Sequence, residues 1–273
     1  MAKPHYKQNS YSSLPRDNAH FGLLFNRFFD GYEGEHWQIP DVTHTQGNKS
    51  TKLSGKLNFL QTLLQGYAKH SGKPEVGDAK CLNAYHERQA KLLQSLSGIS
   101  LAYRSEWNWI SGLGYDHPVE NGILIHHTLS VPYLTGSTVK GVVRAWLESR
   151  PDKIDEFDKK IELWFGSNDK AGELVFFDAL PISPVGLMID VMTPHIGNWL
   201  DKASSKTAPG DWIDPVPIPF LCCTSSTLNY SVAPVAGSSI DMVEVESALT
   251  DALDFLGVGA KTSNGYGLFV PST

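Results

Sequence analysis

The chain has 273 residues, 41% apolar and 19% charged, a balance that suits a globular protein able to bury a large core in one or two domains. Its net charge of −6 argues against indiscriminate nucleic-acid binding, yet residues 1–98 hold 12 Lys and Arg against 8 Asp and Glu while residues 99–273 hold 11 against 21. A polyanion site would therefore be a local patch.

No run of about 18 apolar residues occurs, and Met1-Ala2-Lys3-Pro4-His5-Tyr6 lacks the apolar stretch of a signal peptide, so the expectation is a cytoplasmic protein with no membrane partner. Residues 1–18 are polar, expected to fray or to lie on a partner. Phe21, Leu24, Phe25, Phe28 and Phe29 then recur at helical spacing, with Asp17 or Asn18 placed to cap. A polar linker is expected over residues 31–54, where His36 and His44 have no metal-like spacing. Leu57, Leu60, Leu64 and Tyr67 predict a second helix, and Cys81 precedes a third carried by Leu82, Tyr85, Leu92, Leu93 and Leu96 and stopped by Ser97-Gly98. Residues 1–98 thus read as a helical N-terminal extension.

The period changes at Ile99. Ile99, Leu101, Tyr103, Trp107 and Trp109 alternate with polar residues as in a strand, and Ile123, Ile125, Leu129 and Val131 repeat the pattern. There His126 and His127 are expected on opposite faces, unable to share a metal. A loop then runs into a helix whose buried stripe is Val139, Val142, Val143, Trp146 and Leu147. Thr135 or Ser137 can cap it, and Ser137, Lys140 and Arg144 share another face. Open backbone N–H groups beside two cations suit phosphate, although the same residues also make an ordinary capped surface helix.

Residues 172–179 and 187–193 are expected to be paired strands, carrying Asp178 and Asp190. Residues 194–219 are irregular, with His195 and a proline series; 220–224 and 228–232 look like a hairpin leaving them. Cys222 and Cys223 bring the cysteine count to three, which fits reduced thiols better than a disulfide framework or a four-ligand zinc site. Ser238-Ser239-Ile240-Asp241 has capping-box spacing before a helix carried by Val245, Leu249, Ala252, Leu253 and Leu256.

That helix delivers the chain into Gly257-Val258-Gly259-Ala260-Lys261-Thr262-Ser263-Asn264-Gly265-Tyr266-Gly267, a glycine-rich loop with a Lys, Thr, Ser and Asn around it. A nucleotide P-loop is excluded: Ala260 and Phe255 stand where its glycines belong, and only residues 268–273 follow, too few to form the helix it needs. From residue 99 onward the order strand, helix, strand, strand, helix, strand is the βαββαβ arrangement of ferredoxin-like and RNA-recognition folds, an α+β class. No motif for a catalytic residue, a metal or a cofactor stands out.

Pro132-Tyr133-Leu134-Thr135-Gly136-Ser137-Thr138-Val139-Lys140-Gly141-Val142-Val143-Arg144 resembles the Pro-Tyr-Ile-Pro-Gly-Ser-Ser-Leu-Lys-Gly-x-x-Arg signature of the RAMP superfamily of CRISPR proteins, with Thr135 in place of a proline. The glycine-rich loop is similar to that superfamily's C-terminal loop. Residues 176–181, 190–195 and 217–221 are similar to the internal pattern of the sixth-subunit family of the type III-B (Cmr) effector. The resemblance covers about residues 99–273 and implies a ferredoxin-like RAMP domain there, with an irregular insertion at about 194–235. It implies a noncatalytic subunit bound to the 3′ part of a CRISPR guide RNA and placed near target RNA. The partners it implies are the repeated backbone subunit, the first Cmr subunit and the small helical subunit. Carried onto this chain, the RNA-binding residues are Gly136, Ser137, Thr138, Lys140, Arg144, Gly259, Lys261, Thr262 and Asn264. The rival expectation is a metal-independent RAMP-type endoribonuclease that uses His126, His127 or His195 to process guide precursors.

Overall fold

A computed structural model describes residues 19–29, 31–34, 38–46, 49–68, 72–151, 156–195, 199 and 210–272. The polar N-terminus, the Asp17 or Asn18 cap, His36 and half of the irregular 194–219 stretch lie outside them. Among the described residues no helix is long and apolar enough to cross a membrane.

The N-terminal third holds α1 (Phe21–Arg27), α2 (Gly55–Gln65) and α3 (Ala79–Ser95). It is not purely helical. Within the expected linker, β1 (Val42–Gln46) and β2 (Lys49–Leu53) form an antiparallel hairpin, and β3 (Glu75–Val76) joins a later sheet. The hairpin's exposed side chains offer little apolar alternation, so the composition read as linker. The cap of α1 is His20, whose Nδ1 accepts from the Leu23 amide at 3.1 Å. Phe21, Leu24, Phe25 and Phe29 are buried in the same core cluster as Trp109, Leu134 and Leu253. On α3 the inward residues are Leu82, Gln89 and Leu93, while Leu92 and Leu96 face outward.

The rest of the chain supplies β4 (Ile99–Ser105), α4 (Gly136–Glu148), α5 (Phe157–Phe165), β5 (Leu174–Phe176), β6 (Leu180–Pro181), β7 (Val185–Met192), β8 (Ile218–Cys223), β9 (Thr227–Pro234), α6 (Met242–Phe255) and β10 (Phe269–Pro271). One antiparallel sheet runs β10-β4-β9-β5, with β6 also pairing β9; the other runs β3-β7-β8. Two expectations are corrected. Residues of β5 and β7 are not paired neighbours, because the chain between them turns through Pro181 and Pro184 and leaves them in different sheets. Nor do β8 and β9 form a hairpin: the turn between them is held to β4, with the Ser226 amide donating to Ser105 Oγ at 3.0 Å and Ser225 Oγ donating to the Ser105 carbonyl at 2.6 Å. Within residues 194–235, β8 lies in the second sheet and β9 in the main sheet.

Odd-numbered residues of β4 face the α4/α6 layer: the Tyr103 hydroxyl lies 2.7 Å from the Thr250 hydroxyl on α6. On the other face Leu93 of α3 and Ala233 of β9 meet over Gly98, so α3 covers that face where β4 begins, while Ser100, Ala102 and Arg104 of β4 stay exposed on it. Cys222 and Cys223 are buried free thiols, and burial pushes Cys222 up to about 12.

The core also holds an acid-sensitive ring. His117 stacks on Phe25 at 3.8 Å; its Nε2–H donates to the Phe25 carbonyl at 2.8 Å and its Nδ1 accepts from the Val119 amide at 3.2 Å. That tautomer is neutral, and burial, outweighing the bond to Phe25, holds the pKa below the ordinary 6.5. The unfolded chain therefore binds the extra proton first, and stability declines as pH falls from about 6.5 toward the folded value. His126, lowered by burial and then by His127, acts in the same direction. We expect the urea midpoint to drop between about pH 7 and about pH 5, and His117→Phe to flatten that drop. An unaltered slope in the variant would show that another group controls it.

Candidate nucleic-acid interface

Two loops are brought together at one end of the α4/α6 layer. At the first, Thr135 caps α4 by accepting from the Thr138 amide at 3.2 Å. The expected open amide at Gly136 is not open: its N–H donates to Asp178 Oδ1 at 2.7 Å. Glycine is required there by packing, because a Cβ would lie 2.1 Å from the Phe176 carbonyl oxygen. Asp178 is thus a tie between α4 and the segment following β5. What this helix end offers outward is the exposed Ser137 and Thr138 and two cations. Lys140 is half-buried with no carboxylate paired to it among the described residues. Arg144 holds Glu148 at 2.7 Å, both partners about half exposed; such a surface pair contributes at most about 1 kcal/mol and yields readily to a phosphate.

The second loop follows α6 and is fastened at both ends. Val258 N–H donates to the Gly267 carbonyl at 2.8 Å, Ala260 N–H to Ile110 at 2.9 Å, and Gly267 N–H to Asn108 at 3.0 Å. Gly259 (φ +105°) and Gly267 (φ +71°) sit in conformations that favour glycine, and a Cβ at either would lie 2.2 Å from a backbone oxygen. Tyr266 is the anchor: buried at 7% exposure, it donates its hydroxyl to Asp190 Oδ2 at 2.5 Å. Burial, then that bond, raises its pKa well above the usual tyrosine value. Between the anchors, Lys261 takes a left-handed φ of +59° and its Nζ lies 5.7 Å from the Phe220 ring centre, while Asn264 is exposed and Thr262 half-buried.

The loops abut. A Cβ at Gly259 would lie 3.7 Å from Leu134 Cδ2, and Leu134, Val139 and Val258 share one core cluster. Each loop is held by an aspartate from outside itself, Asp178 for one and Asp190 for the other.

A model of the RAMP superfamily matches residues 108–270, a span that contains both loops. The chain belongs to the RAMP superfamily. Within the superfamily it is Cmr6-like: it is 31% identical to the CRISPR system Cmr subunit Cmr6 of Pyrococcus furiosus, with 68% of this chain and 72% of that protein aligned. The corresponding Cmr6 subunit of Saccharolobus solfataricus is 27% identical over 55% of this chain and 48% of its own length. Among solved structures, a chain of the type III-B Cmr-beta complex bound to cognate target RNA shares the fold, with a TM-score of 0.58 at 20% identity, over 80% of this chain and 71% of that one.

The RAMP match begins after β4, yet β4 is central to its sheet, α3 packs on β4 and β9, and α2 packs on β7 and β8 of the second sheet, so the core that the match spans is completed by residues outside it. Those elements also bring side chains to the first loop that sequence spacing did not reveal. Tyr85 of α3 stands 6.2 Å from His126, and Tyr133 stands 5.4 Å from it. His126 and His127 are stacked at 4.9 Å and 10°, not opposed, because residues 126–130 form a turn closed by Ser130 N–H donating to the His126 carbonyl at 3.0 Å. His126 Nδ1 accepts from the Thr128 and Leu129 amides at 3.3 Å, which commits that nitrogen to the turn. His195 lies elsewhere, its Nδ1–H donating to the Ile213 carbonyl at 2.8 Å. No group of three or more His, Cys, Asp or Glu placed to hold a metal occurs among the described residues.

Proposed function

We propose that this chain is a noncatalytic, RNA-binding backbone subunit of a type III-B CRISPR (Cmr) interference complex. Its two abutting loops contact the 3′ part of the guide RNA and help to position target RNA. The observation that carries the reading is that abutment, in which a Cβ at Gly259 would lie 3.7 Å from Leu134 Cδ2; on this reading Lys140, Arg144 and Lys261 act together on RNA with Ser137, Thr138, Thr262 and Asn264. Phosphates and 2′-hydroxyls can be gripped there with no base code.

The strand order β10-β4-β9-β5, with α4 and α6 on one face, supports a ferredoxin-like domain over residues 99–273, into which the described part of residues 1–98 packs as an extension. The β7–β8 pair is the insertion in this scheme. The names of the Cmr6 relatives support partners among the other Cmr subunits, namely the repeated backbone subunit, the first subunit and the small helical subunit. The engagement of His126 Nδ1 and His195 Nδ1 by backbone groups favours a binding role over acid–base catalysis.

Co-expression with Cmr subunits, purification and sequencing of the retained RNA tests the reading. Guide RNA protected at its 3′ portion is expected, and repeat-containing RNA should stay intact on incubation with the purified chain. Absence of retained RNA would refute the binding role, and specific cleavage lost on His126→Ala or His195→Ala would establish the endoribonuclease instead.

A further inference from the structure

Trp107 is half exposed, at 50%, in a segment that is otherwise clamped. Glu106 N–H donates to the Leu268 carbonyl at 2.9 Å, the Asn108 carbonyl accepts from Gly267 N–H at 3.0 Å, and Trp109 exchanges two backbone bonds with Cys223 at 3.0 and 2.9 Å. The indole is therefore displayed by rigid backbone, not by a loose loop. Its ring centre lies 4.8 Å from that of Tyr266 at a 41° tilt, and Tyr266 is fixed by Asp190 and backed by Phe220 at 6.2 Å. Lys261 Nζ lies over the far end of this aromatic row.

An exposed indole on a clamped backbone, leaning on Tyr266, loses little conformational entropy when a flat ligand covers it, and every nucleobase has a face that stacks on an aromatic ring. From this row we propose that Trp107 is a nucleobase-stacking residue, taking one unpaired base of single-stranded RNA whose neighbouring phosphate is held by Lys261. The inference rests on the proposed RNA-binding function and adds to it a contact with a base face, where the loops supply contacts to the backbone. The carboxylate of Asp190 is bonded to Tyr266 within this row, and the exposed Glu106 precedes Trp107 in the chain, which favours an uncharged base over a second phosphate at this point.

The test uses the purified full chain and a fluorescein-labelled single-stranded RNA of about ten nucleotides, within the length such grooves occupy, together with a set carrying one abasic site at each position in turn. Trp107→Ala is expected to weaken binding about tenfold and Trp107→Phe only slightly, since stacking on one base is typically worth that much. One abasic position should cost the wild-type chain a similar factor and cost Trp107→Ala nothing more. Thermal unfolding of each variant checks that the fold is kept. RNA affinity unchanged in a folded Trp107→Ala overturns the inference while leaving the cation contacts standing, and so does a loss seen only on assembly with Cmr subunits, which would assign the indole to a protein neighbour. A wild-type chain that binds none of these RNAs overturns both this inference and the function beneath it.

Discussion

Replacing Lys140, Arg144 and Lys261 together by alanine should lower RNA affinity by about two to three orders of magnitude at physiological salt, on the basis of roughly tenfold per phosphate contact. The slope of log affinity against log salt should become shallower by about two, because each phosphate neutralised on a single strand contributes about 0.7. The three cations stand on two different elements, so the effect depends on α4 and the glycine-rich loop facing one RNA segment. Stability should barely change: Arg144 and Glu148 make a solvent-exposed pair, and Lys140 and Lys261 have no paired carboxylate among the described residues. Fluorescence anisotropy over a salt series, with a denaturation curve beside it, separates binding from folding. Equal affinity and equal slope in the triple variant would remove the site from these loops.

The parts of this site that were legible in the sequence are those fixed by local rules. Thr135 as a cap and the α4 stripe of Val139, Val143, Trp146 and Leu147 follow from helical spacing and the groups a helix end leaves unpaired. The density of glycine from 257 to 267 forecast a loop of unusual backbone, and four of those glycines have positive φ. What was hidden depends on distant pairing. Asp178 and Asp190, set among apolar strand residues, gave no local sign that one would take the Gly136 amide and the other the Tyr266 hydroxyl. The pairing of β5 with β9 spans a long insertion, whereas β8 and β9 are neighbours in sequence, so proximity along the chain favoured the wrong hairpin. Trp107 was read into an alternating strand. The strand ends at Ser105, and only the clamp between Leu268 and Cys223 turns that indole outward beside the loop.

Gly259→Ala should cost several kcal/mol of folding stability, and Gly265→Ala only about 1–2 kcal/mol. Both glycines have left-handed φ, +105° and +89°, so an added methyl group meets backbone strain at either. The surroundings differ. At Gly265 nothing lies within 4 Å, whereas at Gly259 the methyl would sit 2.2 Å from the Ile110 carbonyl oxygen, which already accepts the Ala260 amide that pins the loop. A backbone oxygen cannot rotate away as a side chain can, so the loop itself must shift. Urea denaturation measures the difference between the two variants, and equal losses would show that strain alone, and not contact with Ile110, requires the glycine. Adding saturating single-stranded RNA then asks a second question, because a ligand that binds only the folded chain raises its stability by an amount set by its affinity. If the loop takes no part in RNA binding, RNA should stabilise the folded fraction of Gly259→Ala as much as it does the wild-type chain. A smaller stabilisation would show that the seating of this loop is part of RNA binding, since a shifted loop would carry Lys261 out of reach of the phosphate.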